Sequence, residues 1–162
     1  MHKLYLQQKI FKITDHYEVY DDSGNAVYQV DQDFKFIGNT VHVRKFDGTK
    51  GFVIDRKILT LLPRYIITFD DGKVLRVKQN LTFFKKSIDL ISDDYDLNLR
   101  GNFLDMDFEI FERNRVVGRI YKKYFTFRDI FVLEIIEDEY EDEILALTIV
   151  VDEIKDIEAA NN

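Results

Sequence analysis

The chain contains no cysteine, so disulfide bonds, thiolate catalysis, cysteine-ligated zinc and iron–sulfur clusters are all excluded. Proline occurs once and glycine seven times in 162 residues, and no low-complexity tract interrupts the chain. Neither a collagen-like repeat nor a disordered polymer fits that composition. Long hydrophobic runs are missing too: no uncharged stretch exceeds eight residues, where a membrane-spanning helix needs about 20. The N-terminus shows no apolar segment of the signal-peptide type. These absences lead to the expectation of a soluble, cytoplasmic protein, and 46% apolar residues over this length suit one globular domain spanning 1–162.

Charge is plentiful and uneven. Lys plus Arg number 23 and Asp plus Glu 30, a net charge of −7, which argues against a nucleic-acid binder, whose affinity comes mostly from neutralising phosphates. Residues 1–92 carry 15 basic and 11 acidic side chains, whereas residues 93–162 carry 8 and 19. The densest acid lies at 134–143, with seven carboxylates and no base. Such a run reads as a solvated loop that favours solubility, or as a docking site for a basic partner or cation.

Turn signals recur between runs rich in Val, Ile, Phe and Tyr: Asp22-Ser23-Gly24-Asn25, Asp47-Gly48, Asp71-Gly72-Lys73 and Arg113-Asn114-Arg115. Asp-Gly and Ser-Gly pairs supply the positive φ that tight hairpins require. Gly24, Gly48 and Gly72 repeat every 24 residues, the length of two strands with their connections. Between the turns the apolar period is two. Leu104, Met106, Phe108 and Ile110 alternate with Asp105, Asp107 and Glu109, and Tyr65, Ile67 and Phe69 behave likewise. About a dozen antiparallel strands are expected over roughly 3–137. With one wet face each, they should close into a barrel or a sandwich.

The period then changes. From about 143 to 158 there is neither proline nor glycine, and Ile144, Leu145, Ala146, Leu147, Ile149, Val150 and Val151 point in every direction of a helical wheel. A helix apolar all round has to be surrounded on all sides; a buried strand is the competing reading of so short a β-branched run. Asp142 and Glu143 suit a helix N-terminus, and the Thr148 hydroxyl can bond back to the Ile144 carbonyl. A helix about 10–12 Å across fits inside a barrel of about a dozen strands but not inside one of eight. The expected fold is therefore mainly β, a closed antiparallel barrel of about twelve strands around a central hydrophobic C-terminal helix.

Several segments resemble one family. Leu4-Tyr5-Leu6-Gln7-Gln8-Lys9-Ile10-Phe11, then Tyr17-Glu18-Val19-Tyr20-Asp21 with Gly24, the repeated hairpins with turns such as Asp71-Gly72-Lys73 and Leu145-Ala146-Leu147 running into Val151-Asp152-Glu153-Ile154 look like LURP-one-related proteins. That family is grouped with the Tubby C-terminal domain and the phospholipid scramblases. The resemblance implies a twelve-stranded barrel around its terminal helix. It also implies a connection with phosphoinositide head groups, as in Tubby domains, or with lipid movement and calcium, as in scramblases. Plant relatives are linked to defence. The cysteine cluster that carries palmitate in scramblases has no counterpart in this cysteine-free chain.

Catalytic machinery is hard to assemble from these residues. His2, His16 and His42 stand in separate segments without the spacing of metal ligands, and Ser23, Ser87 and Ser92 lack a nucleophile-elbow context. Asp94-x-Asp96-x-Asn98 imitates the opening of a calcium loop, but Leu99 stands where the turn needs glycine and Asp105 where it needs a bidentate Glu. No catalytic set, cofactor or metal site is expected. Basic residues are the better candidates: Arg76 and Lys78 on one strand face, Lys85-Lys86 after Phe83-Phe84, and Lys122-Lys123 between Tyr121 and Tyr124. Alternation sends adjacent lysines to opposite faces, so each pair should offer one outward charge. The expectation is a non-enzymatic binding or scaffold domain that meets an anionic lipid or a protein partner, with peripheral membrane association. A scramblase-like or calcium-responsive membrane protein and an enzyme with an unfamiliar site are the alternatives.

Overall fold

The computed structural model describes residues 1–7, 16–34, 38–57, 62, 64–82, 85–125 and 129–160; of Phe34, Leu81, Thr82, Lys85 and Lys86 it describes the backbone. The strands are β1 (His2–Gln7), β2 (His16–Asp21), β3 (Ala26–Phe34), β4 (Asn39–Lys45), β5 (Gly51–Lys57) and β6 (Arg64–Phe69). They continue as β7 (Val74–Thr82), β8 (Lys85–Ile91), β9 (Leu97–Asn102), β10 (Asp107–Glu112), β11 (Arg115–Tyr124) and β12 (Asp129–Ile135). A short 3-10 turn, Asp138–Tyr140, leads into α1 (Glu141–Ala160).

The Asp-Gly signals mark hairpin turns: φ is +81° at Gly24, +73° at Gly48 and +90° at Gly72, values that favour glycine. Each pairs two antiparallel strands into a meander, and β1 also pairs β12, with His2 opposite Ile135 and Gln7 opposite Ile130. The sheet runs β8-β7-β6-β5-β4-β3-β2-β1-β12-β11-β10-β9. Its two outer strands, β8 and β9, touch without a hydrogen-bonded ladder, so the barrel is nearly closed, with one seam. Period-two alternation turns Leu4, Leu6, Val41, Val43, Tyr65, Ile67, Leu75 and Val77 into the core.

The octet at 144–151 is helical and wholly buried, as α1 fills the interior. Side chains of α1 are met from many directions: by His2 of β1, Tyr28 of β3, Lys45 of β4, Arg56 of β5 and Gln79 of β7. The Thr148 hydroxyl donates to the Ile144 carbonyl at 2.8 Å. On β11, Gly118 lets the helix approach: a Cβ there would collide with the Ile144 side chain and lie 3.1 Å from the Glu134 carbonyl oxygen.

Three expectations change. The helix starts two residues earlier and ends two later than 143–158. The acidic run at 134–143 is not a solvated loop throughout, because Glu134 lies on β12 and Glu141 and Glu143 are buried. The alternation from Leu104 to Ile110 belongs to a strand only from Asp107: residues 103–106 form the turn after β9, Leu104 is 83% exposed and Met106 has φ +53°. Alternation in sequence continued through the turn, and cross-strand pairing did not.

Candidate functional site

Among the described residues the interior is packed with apolar side chains. Side chains of twelve strands and one helix fill it, and a surface depression of about 800 Å³ lies outside, lined by residues such as Arg100, Glu109, Arg119, Tyr121 and Glu134. Two of its carboxylates are already matched: Glu109 by Arg119 Nε at 2.9 Å and Glu134 by Lys3 Nζ at 3.0 Å. Those contacts hold the Glu134 carboxyl below the usual carboxylate range, the Lys3 hydrogen bond being the main cause. No helix is long and apolar enough to cross a membrane among the described residues.

The histidines stay apart, each against a carboxylate: His2 to Glu141 at 2.6 Å, His16 to Asp31 at 2.6 Å, His42 to Asp33 at 3.6 Å. No cluster able to hold a metal ion exists among the described residues. Asp94 and Asp96 do not converge, since Asp94 accepts from the Val74 amide at 3.1 Å and Asp96 faces Arg113 at 3.9 Å.

The outer wall of β5, β6 and β7 is different. Inward Tyr65 and Val77 alternate with outward Arg64, Arg76 and Lys78. Register sets Lys57 directly across from Arg64, and Arg64 directly across from Lys78. Like charges opposite one another in a sheet are unfavourable. Among the described residues, Arg64, Arg76 and Lys78 have no ion-pair partner. Guanidinium and ammonium groups of this kind pair well with phosphate oxygens.

The expected basic residues therefore divide. Arg76 and Lys78 share the β7 face. Lys85 and Lys86 have backbone positions on β8, opposite Thr82 and Leu81, and their side chains lie outside what the structure describes. Lys123 is exposed on β11, across the seam from β7. Its neighbour Lys122 turns inward: its side chain is 5% exposed, 3.0 Å from Asp129, and lies over the rings of Tyr124 and Phe131. Alternation thus gives one outward charge from that pair, and Lys122 ties β11 to β12. Lys57 and Arg64 were missed by sequence reading, because each stands alone in the chain and only strand register brings it beside Lys78.

At the opposite end of the barrel a buried network anchors the start of α1. Glu141 accepts from Tyr28 at 2.5 Å, from Lys45 at 2.9 Å and lies 2.6 Å from His2. Burial opposes charge on Glu141, but these hydrogen bonds outweigh it and hold its carboxyl below the usual range. Burial pushes the carboxyls of Asp142 and Glu143 up. This network is structural in form: every contact joins the helix to the wall.

Residues 2–152 match the LURP-one-related family. The chain is 26% identical over 148 residues, covering 91% of its own length and 88% of the relative's, to the uncharacterized protein YxjI of Bacillus subtilis (strain 168). No solved structure matches.

Proposed function

The chain belongs to the LURP-one-related family, and we propose that it is a non-enzymatic binding domain that takes anionic lipid head groups on the outer face of β5–β7. One observation carries the reading: the cross-strand row Lys57–Arg64–Lys78, with Arg76 beside it, concentrates positive charge on a protein of net charge −7. Asp89, directly across from Lys78, and Asp55, two residues before Lys57, share this wall, and the four basic side chains outnumber them. The apolar packing of the described interior supports binding on the surface. Basic groups near a membrane gain from the negative surface potential of anionic lipids, and the gain is screened by salt.

Co-sedimentation with phosphatidylcholine vesicles containing increasing phosphatidylserine or phosphoinositide tests the proposal. Uptake should rise with anionic lipid, fall with salt and drop in Arg64→Glu and Lys78→Glu. Soluble inositol hexakisphosphate should compete if the phosphorylated head group is what is recognised. Absence of uptake even at low salt overturns the reading.

A further inference from the structure

The hairpin between β10 and β11 is tipped by Arg113 and Asn114, with Glu112 and Arg115 directly opposite one another at its base. Arg113 has φ +55°. A positive φ in a two-residue loop is served best by glycine, asparagine or aspartate, and an arginine holds it against the crowding of its own Cβ. Such outliers gather where a side chain is used. The Arg113 amide fixes the turn in place, donating to the Asp96 carbonyl at 2.9 Å.

A surface depression of about 560 Å³ opens at this tip, lined by Glu112, Arg113, Asn114, Arg115 and Tyr140. The Glu112 side chain is only 18% exposed. Among the described residues neither of its oxygens accepts a hydrogen bond: Oε2 is buried without a partner, and Oε1 is 4.0 Å from Arg113 Nε, too far for one. A carboxylate so far withdrawn from water normally has donors around it. Arg113 is equally short of acceptors, since its side chain is 79% exposed and the Asp96 carboxylate is 3.9 Å away. Arg115 faces Glu137 at 3.3 Å and Glu139 at 3.7 Å, solvent-facing pairs of the kind that contribute little.

These charges narrow the chemistry of a ligand. Four carboxylates, those of Asp96, Glu112, Glu137 and Glu139, lie within 4.0 Å of the two arginines, and this acidic excess disfavours a bare anion. A bare amine is disfavoured too, because reaching Glu112 brings it between Arg113 and Arg115. A ligand that carries both charges satisfies both sides. Its charges have to lie close together, because Glu112 and Arg115 are cross-strand neighbours, with Cα atoms about 4.5–5.5 Å apart in such a pair.

We propose that this hairpin tip binds a compact zwitterion of the free α-amino acid class, its ammonium donating to Glu112 and its carboxylate accepting from the guanidinium groups of Arg113 and Arg115. Arginine suits that carboxylate because its paired N–H groups match the two oxygens. The depression leaves room for a side chain beside Tyr140, which packs against the core. The site lies in the other half of the sheet from β5–β7 and is independent of the head-group reading.

Glycine, L-leucine and L-glutamine are titrated one at a time into isotope-labelled protein while the backbone amide resonances from Glu112 to Arg115 and of Tyr140 are followed. At least one of the three should move them saturably. Its N-acetyl derivative, which lacks the ammonium, and its amide, which lacks the carboxylate, should each bind the unsubstituted protein about tenfold more weakly. Glu112→Gln should lose the shifts, as should Arg113→Gly, which relieves the positive φ and keeps the turn. No saturable shift from any of the three overturns the proposal. A derivative that binds as tightly as its parent, or undiminished binding by Arg113→Gly, overturns it as well.

Discussion

The hydroxyl of Tyr28 on β3 lies 2.5 Å from Glu141 Oε1 and 2.6 Å from Asp142 Oδ1, at the first turn of α1. One hydroxyl proton is shared between two neighbouring carboxyl groups, and burial pushes that of Asp142 up while hydrogen bonds hold that of Glu141 down. The triad fixes where the helix enters the barrel. Tyr28→Phe leaves buried oxygens short of a donor, and a loss of about 1–3 kcal/mol is expected from denaturant melts; an unchanged midpoint would contradict the anchoring role.

Buried carboxyl groups at both ends of the helix make stability depend on pH. Glu141 has a folded pKa below its unfolded value, so its contribution is present above the ordinary carboxylate range and is lost as pH falls through the folded value. Asp142, Glu143 and Glu153 are raised, chiefly by burial, so their contributions hold at low pH and fade as pH rises through their folded values. Melting temperature is expected to decline as pH rises above the ordinary carboxylate range, with Glu143→Gln flattening that decline. A curve that climbs over this interval would be the opposite result.

Gly118 marks the closest approach of wall and helix. Its substitution by valine drives a side chain into Ile144, and overpacking of this kind costs about 1–3 kcal/mol. Ile144→Ala in the same molecule should recover part of the loss, a coupling that a thermodynamic cycle measures; strictly additive effects would show that the two positions do not meet.

Leu147 and Val150 are fully buried in the barrel. Leu147→Ala is expected to cost about 2–5 kcal/mol through the cavity it leaves, and Leu147→Asp to prevent folding, because an unpaired charge would stand in an apolar interior. A soluble aspartate variant with a cooperative melt would refute the threaded helix.

Arg64 and Lys78 face each other across β6 and β7. If the row exists for binding, Lys78→Ser should leave the melting temperature unchanged or raise it while vesicle uptake falls. A variant that melts lower and binds as before would assign the row to folding instead.

Much of this could be read along the chain. Hairpins at Gly24, Gly48 and Gly72 were visible because a tight turn depends on adjacent residues, and inward Tyr65 and Ile67 were visible because pleating alternates locally. The turn at Leu104 was not, since its alternation is indistinguishable from that of the strand it precedes. Glu141 and Glu143 looked solvated, because no local pattern shows that Tyr28 and Lys45 wait inside the barrel to receive that part of the helix.

By itself the sequence determined the meander, its turns and the helix, each of which follows from backbone and side-chain preferences within a few residues. It also determined that the octet at 144–151 is too apolar for a surface and too short for a bilayer. Only the tertiary structure decided which charges become neighbours and which strands lie side by side. Register joins Lys57, Arg64 and Lys78, and antiparallel pairing sets β1 beside β12. Both are products of pairing across the sheet, where the distance between partners is set by strand geometry and not by position along the chain.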